Sequence, residues 1–239
     1  MTNNSWSSTG RPIILGHRGA SADMPENTLA AFGLALEQGA DGLELDVRLA
    51  GDGRVVICHD ATVERISNGR GKISAMTVAE LKRLDLGREQ TIPTLDELFE
   101  MLGPQLLYNI ELKSFGWPDD GLAAAVADRV AAYHLQNHVL ISSFSPFAVR
   151  RARRVFPRST PVALIRMPGL WYYTYLLASG EADHPHYTMI DEKYMAWARR
   201  RGYLVNTWTV DNPETARRLA DLGVDGIITN KPAIVQAAF

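Results

Sequence analysis

The chain has 239 residues, with 25 Lys and Arg against 27 Asp and Glu for a formal charge of −2, and 46% of it is hydrophobic. This balance argues against generic nucleic-acid binding, and the length is enough for one domain with a full buried core. No apolar run approaches the roughly 20 residues that span a bilayer, residues 1–10 are polar without the order of a signal peptide, and the lone cysteine, Cys58, excludes an internal disulfide and fits a reducing compartment.

The expectation is a cytoplasmic enzyme with a flexible N-terminus over 1–10 and a single domain over 11–239. Within that domain, short apolar runs alternate with amphipathic stretches, the pattern of parallel strands joined by crossover helices. Strands are predicted at 12–15, 43–47, 106–112, 139–141, 162–165, 187–190, 203–208 and 226–229. Helices are predicted to start at Asn27, Thr94, Asp119, Ser145, Trp171, Asp191, Asn212 and Asn230, several of which are capping residues or precede proline. Eight strands favour an α/β fold of the TIM (β/α)8 barrel type over two small domains. From 52 to 93 the alternation breaks into a hairpin turn at Gly51-Asp52-Gly53-Arg54, a run Val55-Val56-Ile57, glycine turns at Gly69 and Gly71, and a short helix near 78–84. This reads as a small insertion after the second strand, where barrel loops build active sites. The basic run Arg150-Arg151-Ala152-Arg153-Arg154 reads as the solvated face of a helix.

Chemistry concentrates at the predicted strand ends. Glu44 and Asp46 are two apart and so share one face of a strand whose other residues are apolar, where bare negative charge is costly. Paired acidic oxygens on one face suit a hard divalent metal. Glu111 repeats the pattern in Asn109-Ile110-Glu111-Leu112-Lys113, and the first strand runs into Gly16-His17-Arg18-Gly19-Ala20. The insertion adds His59 and Asp60, the latter read as a turn or orienting residue. Cations beside a metal imply an anion: Arg18 and Lys113 could hold a phosphoryl oxygen while two histidines act as acid and base, which is phosphodiester chemistry. Cys58 is next to His59 and so points to the opposite face, which argues against a thiol nucleophile. His134, His138, His184 and His186 lack comparable placement and are read as structural. No phosphate-binding loop, dinucleotide fingerprint or Cys-x-x-Cys pair is present.

The string His17-Arg18-Gly19-Ala20, then Pro25-Glu26-Asn27-Thr28, Glu44-Leu45-Asp46-Val47, His59-Asp60, Ile92-Pro93-Thr94-Leu95 and Asn109-Ile110-Glu111-Leu112-Lys113, closely resembles the glycerophosphodiester phosphodiesterase family. Ser142-Ser143-Phe144, Asn206-Thr207-Trp208 and Asp225-Gly226-Ile227-Ile228-Thr229-Asn230 resemble its later strands, so the likeness spans 12–232. The resemblance implies a TIM barrel with Glu44, Asp46 and Glu111 as ligands of Mg²⁺ or Ca²⁺, His17 and His59 as the acid/base pair, and Arg18 and Lys113 as phosphate contacts. It further implies hydrolysis of glycerophosphodiesters, such as glycerophosphocholine or glycerophosphoethanolamine, to sn-glycerol 3-phosphate and an alcohol. Trp208, with Phe144 as a weaker candidate, is placed to pack against glycerol or a choline-like head group. The aromatic segment 167–177 packs a barrel helix on the core or, if exposed, lines a mouth for acyl chains; the latter would support lysophospholipase D-type cleavage of lysolipids. A non-catalytic phosphodiester-binding barrel is the third reading, disfavoured because all three acids and both histidines are retained. No membrane-inserted partner is expected, and the oligomeric state is left open.

Overall fold

The computed structural model describes residues 6, 10–116, 118–169, 176–178 and 180–239. Among these, nine strands form: β1 (Ile13–His17), β2 (Gly42–Leu49), β3 (Val55–Ile57), β4 (Leu107–Leu112), β5 (Val139–Ser143), β6 (Val162–Arg166), β7 (Ala182–Pro185), β8 (Leu204–Thr207) and β9 (Gly226–Thr229). All except β3 are parallel to their neighbours, and pairing of β1 with both β2 and β9 closes them into an eight-stranded barrel. The count of eight barrel strands and the barrel itself therefore hold as predicted. β3 runs antiparallel to the end of β2 and opens the insertion.

Strand periodicity divides each segment between two cores. Leu43, Leu45 and Val47 of β2 face outward and pack with Tyr108, Ile110 and Leu112 of β4 against α3 (Leu95–Leu102), α4 (Leu122–Ala132) and α5 (Pro146–Val155). The intervening residues face the barrel interior. There Ile13, Leu15, Leu140, Ala163, Ala182 and Ile228 fill the amino-terminal half, joined by Trp6, which is 1% exposed. The carboxyl-terminal half is polar, and that division positions the site. The insertion, which includes the short helix α2 (Val78–Leu81), carries its own small core of Val56, Cys58, Val63, Ile73, Leu81 and Ile92.

Helix starts follow local capping chemistry. Thr94 closes a reciprocal capping box with Glu97 ahead of α3, and Ser145 and Asp191 cap α5 and α6 (Glu192–Arg200). Asn212 caps α7 (Pro213–Leu222) with Pro213 in its first turn. Elsewhere the predicted starts shift: α1 (Leu29–Glu37) is capped by Thr28 instead of Asn27, α4 follows Gly121, and α8 (Pro232–Gln236) follows Lys231. The start predicted at Trp171, with most of the aromatic segment, lies outside the described residues; Leu176 and Leu177 are exposed.

Two expectations are corrected. The strand predicted at 187–190 is instead a 3₁₀ turn, and its place in the barrel is taken by β7, whose Asp183, His184 and Pro185 mask it as a polar turn. Asp183 is affordable there because it faces Arg166 and the Tyr194 hydroxyl in a buried cluster. The basic run on α5 is only half solvated: Arg151 is 7% exposed and donates to Ser114 Oγ and the Gly116 carbonyl, while Arg153 binds the Phe156 carbonyl and Glu181. Among the described residues, no helix is long and apolar enough to cross a membrane.

Candidate active site

Sheet register brings the acids together. Across β2 and β4, Asp46 lies opposite Glu111 and Glu44 opposite Asn109, while His17 on β1 lies opposite Glu44. All three acids are buried, and one oxygen from each falls within 4.8 Å of the others. Their compensation is partial. Lys113 Nζ lies 2.9 Å from Asp46 Oδ1 and 2.5 Å from Glu111 Oε1. The Arg18 Nε lies 3.2 Å from Asp46 Oδ2, and the Arg18 backbone N–H donates to Glu44 Oε2 at 3.2 Å. Three carboxylates thus face two cations. Burial, reinforced by the Asp46 charge, pushes the Glu44 carboxyl up to about 8. Burial likewise pushes Glu111 up to about 8 against the pull of Lys113. Burial also works against ionised Asp46, but Lys113 and Arg18 outweigh it and hold that carboxyl below the usual range. A buried, oxygen-only cluster short of positive charge is a donor set that fits a hard divalent cation.

Both histidines are oriented through Nδ1. For His17, Nδ1 lies 2.7 Å from Asn230 Oδ1, and Asn230 is fixed by donating from Nδ2 to Asp211 Oδ2 at 2.7 Å. An amide oxygen accepts, so His17 Nδ1 carries the proton and Nε2, 3.8 Å from Glu44 Oε2, presents a lone pair. His59 Nδ1 lies 2.6 Å from Asp60 Oδ1, which bears out Asp60 as an orienting partner in geometry. Burial lowers the affinity of both rings for protons, with Arg18 adding to the effect at His17.

A chain of ion pairs docks the insertion to the barrel. Arg18 Nη1 binds Glu26 at 2.9 Å, Glu26 binds Arg65 at 2.7 Å, and Arg65 Nε binds Asp60 at 2.5 Å. Arg18 sits at φ +54 and Asn27 at φ +57, left-handed turns that let the Arg18 N–H reach Glu44 and the Asn27 carboxamide donate to Asp46 Oδ2 at 2.9 Å. Beside these groups lies a cavity of about 100 Å³ whose wall includes both histidines, Lys113, Phe144 and Trp208. Phe144 and Trp208 meet edge to face at 5.4 Å between centroids, and Lys113 Nζ lies 5.7 Å from the Phe144 ring centre. All nine candidate site residues therefore converge on one place. Cys58 is buried in the insertion, its thiol pushed up to about 12 by burial.

Glu26, Asn27, Arg65, Asp211 and Asn230 were not singled out from sequence for these contacts. Asn27 satisfies the pattern of a helix cap, which hid its role; Asn230 follows the last strand, and position at the carboxyl end of a barrel strand was the available signal. His184, read as structural, lines the cavity wall.

A parallel barrel whose strand ends gather buried acids, two oriented histidines and two cations defines an α/β-barrel enzyme built for phosphate esters. Comparison with known proteins narrows the class. The model of the Glycerophosphoryl diester phosphodiesterase family matches residues 17–234, and the chain belongs to that family. It is 37% identical over 233 residues to the glycerophosphodiester phosphodiesterase of Caldanaerobacter subterraneus subsp. tengcongensis, an alignment covering 93% of this chain and 95% of the relative. Among solved structures, it is similar to a phosphodiesterase of Oleispira antarctica in complex with its product sn-glycerol-3-phosphate, with TM-score 0.83, 32% identity, and coverage of 95% and 96% of the two chains. A glycerophosphodiester phosphodiesterase from Agrobacterium tumefaciens aligns with TM-score 0.81 at 28% identity, covering 95% of this chain and 99% of that one.

Proposed function

We propose that the protein hydrolyses glycerophosphodiesters such as glycerophosphocholine to sn-glycerol 3-phosphate and an alcohol, with His17 as base and His59 as acid. The observation that carries this reading is the convergence of the acidic triad, two cations and two histidines, each oriented through Nδ1, on one cavity. A divalent cation, Mg²⁺ or Ca²⁺, held by Glu44, Asp46 and Glu111 would draw charge from the phosphoryl oxygens. Arg18 and Lys113, already beside those acids, hold the phosphoryl group by charge-assisted hydrogen bonds.

His17, neutral through burial and with its Nδ1 proton engaged by Asn230, removes the proton from the substrate 2-hydroxyl through Nε2. The hydroxyl oxygen bonds to phosphorus as the P–O bond to the head-group alcohol breaks, giving a cyclic phosphate. Tethering of nucleophile to phosphorus makes this attack intramolecular. His59, its imidazolium steadied by the Asp60 carboxylate, gives its Nε2 proton to the departing oxygen. Water then opens the ring with the histidine roles reversed. Phe144 and Trp208 pack against the glycerol or head group. The reading treats 11–239 as one cytoplasmic domain acting on small diesters, without nucleic-acid or membrane partners.

The test is release of glycerol 3-phosphate from glycerophosphocholine by the purified protein, with EDTA and then with Mg²⁺ or Ca²⁺ restored, alongside Glu44→Ala. Metal-dependent release that the variant lacks supports the reaction and the site; no release with either metal rejects it.

A further inference from the structure

Beneath the acidic cluster the barrel interior holds a second polar layer. Asn109 on β4, Ser142 on β5, His184 on β7 and Asn206 on β8 share the inward parity of Leu140, Ala163 and Ala182, and none is more than 1% exposed. Among the described residues, five of their polar atoms have no hydrogen-bond partner: both Asn109 side-chain atoms, Ser142 Oγ, His184 Nδ1 and Asn206 Oδ1. The internal partner that exists, Asn206 Nδ2 to His184 Nε2 at 3.2 Å, makes Nε2 the acceptor and leaves Nδ1–H as an unused donor. Neighbouring polar groups are paired: the Thr207 hydroxyl donates to the Pro185 carbonyl at 3.0 Å and the Trp208 Nε1–H to the His184 carbonyl at 3.0 Å. Buried polar groups left unpaired are costly, so those of the layer that line a cavity mark a place where something polar binds.

Asn109 and His184 line the catalytic cavity itself. The sequence also makes room for this layer: a Cβ on Gly226 would sit 2.4 Å from Asn206 Oδ1. Burial pushes His184 down to about 3, so its ring stays neutral and offers one donor and one acceptor, as a carboxamide does. Donor and acceptor side by side are the complement of an alcohol hydroxyl, and no charge in the layer calls for an anion. Two residues along a parallel strand advance roughly 6.6 Å, which puts Asn109 below Glu111 by about the reach of a three-carbon chain.

We propose that Asn109 and His184 bind the terminal hydroxyl of the glyceryl moiety, the one furthest from phosphorus, so that glycerol enters the barrel first and the head group remains at the Phe144–Trp208 mouth. This inference rests on the phosphodiesterase reading and deepens it. Its consequence is selectivity for deacylated diesters, because an acyl chain esterified at that hydroxyl removes the donor and has no room in the closed floor. The layer is then what separates this protein from a lysolipid-cleaving enzyme.

The test compares three substrates: glycerophosphocholine, its analogue built on propane-1,2-diol, which keeps the attacking 2-hydroxyl and lacks the terminal one, and 1-acyl lysophosphatidylcholine. The expected kcat/KM order is glycerophosphocholine above the deoxy analogue by roughly 10²–10⁴-fold, with the lysolipid lowest. Asn109→Ala should reduce this preference to within about tenfold, and calorimetry should show the same variant no longer preferring sn-glycerol 3-phosphate over propanediol phosphate. His184→Gln, which keeps a donor and an acceptor, should retain part of the preference and serves if Asn109→Ala does not fold. Wild-type protein that turns over the two soluble diesters equally, or the lysolipid as fast as glycerophosphocholine, overturns the inference while leaving the phosphodiesterase reading standing. So does an Asn109→Ala protein with its preference intact. A wild type inactive on every diester overturns the phosphodiesterase reading and this inference with it.

Discussion

At pH 6 the acidic cluster should bind a divalent cation up to a hundredfold more weakly than at pH 7. Burial pushes Glu44 and Glu111 up to about 8 when no cation is bound. Below that pH each holds a proton that an arriving cation must displace. Each displaced proton costs about 1.4 kcal/mol per pH unit, a factor of ten in affinity. Asp46 is already ionised beside Lys113 and Arg18 and adds no slope. Log affinity should therefore climb with a slope approaching two up to about pH 8 and level off above it. Isothermal titration with Mg²⁺ or Ca²⁺ at several pH values, in buffers of different ionisation heat, reads the slope and counts released protons. Glu111→Gln, which lacks one of the two titrating groups, should bring the slope to one. An affinity flat between pH 6 and 8 with no proton release would refute the reasoning, since it would mean that Lys113 and Arg18 alone keep all three carboxylates ionised.

His17→Ala and His59→Ala should each lower kcat by roughly 10²–10⁴-fold while circular dichroism stays native. Asp60→Asn removes the carboxylate that favours the His59 imidazolium, so the alkaline limb of the pH–rate profile should move to lower pH; an unmoved limb would mean His59 is not the acid. Cys58, whose thiol burial pushes up to about 12, should resist thiol reagents at pH 8 in the folded protein, and Cys58→Ala should keep kcat within about twofold. Thr94→Ala removes the hydroxyl that accepts from the Glu97 N–H, leaving the backbone N–H bond to Glu97 Oε2 in place, and should lower stability by about 1 kcal/mol in urea unfolding.

Most of the barrel was legible because its signals are local. The two-residue spacing of Glu44 and Asp46 fixes their common face whatever surrounds the strand, and Thr94, Ser145, Asp191 and Asn212 cap their helices by bonding to backbone three residues ahead. What escaped depends on partners distant in sequence. β7 can bury Asp183 because Arg166 and Tyr194 donate to its carboxylate, and those residues lie 17 and 11 positions from it. Arg151 resembles any exposed arginine until Ser114 and Gly116 fold against it. The ion-pair chain from Arg18 to Asp60 likewise has no sequence period, since each link joins a different loop.

His17 and Asn230 are separated by 213 positions, and their contact exists only once β1 has paired with β9. In the proposed mechanism, catalytic competence thereby becomes a readout of ring closure. A fragment ending after β5 would keep the acidic triad, both histidines, Arg18 and Lys113, yet its His17 imidazole would be free to swing and to exchange tautomers. Supplying the β6–β9 half in trans should restore turnover only to the degree that the two halves reassemble, so the chemistry itself can serve as the assay for completion of the barrel.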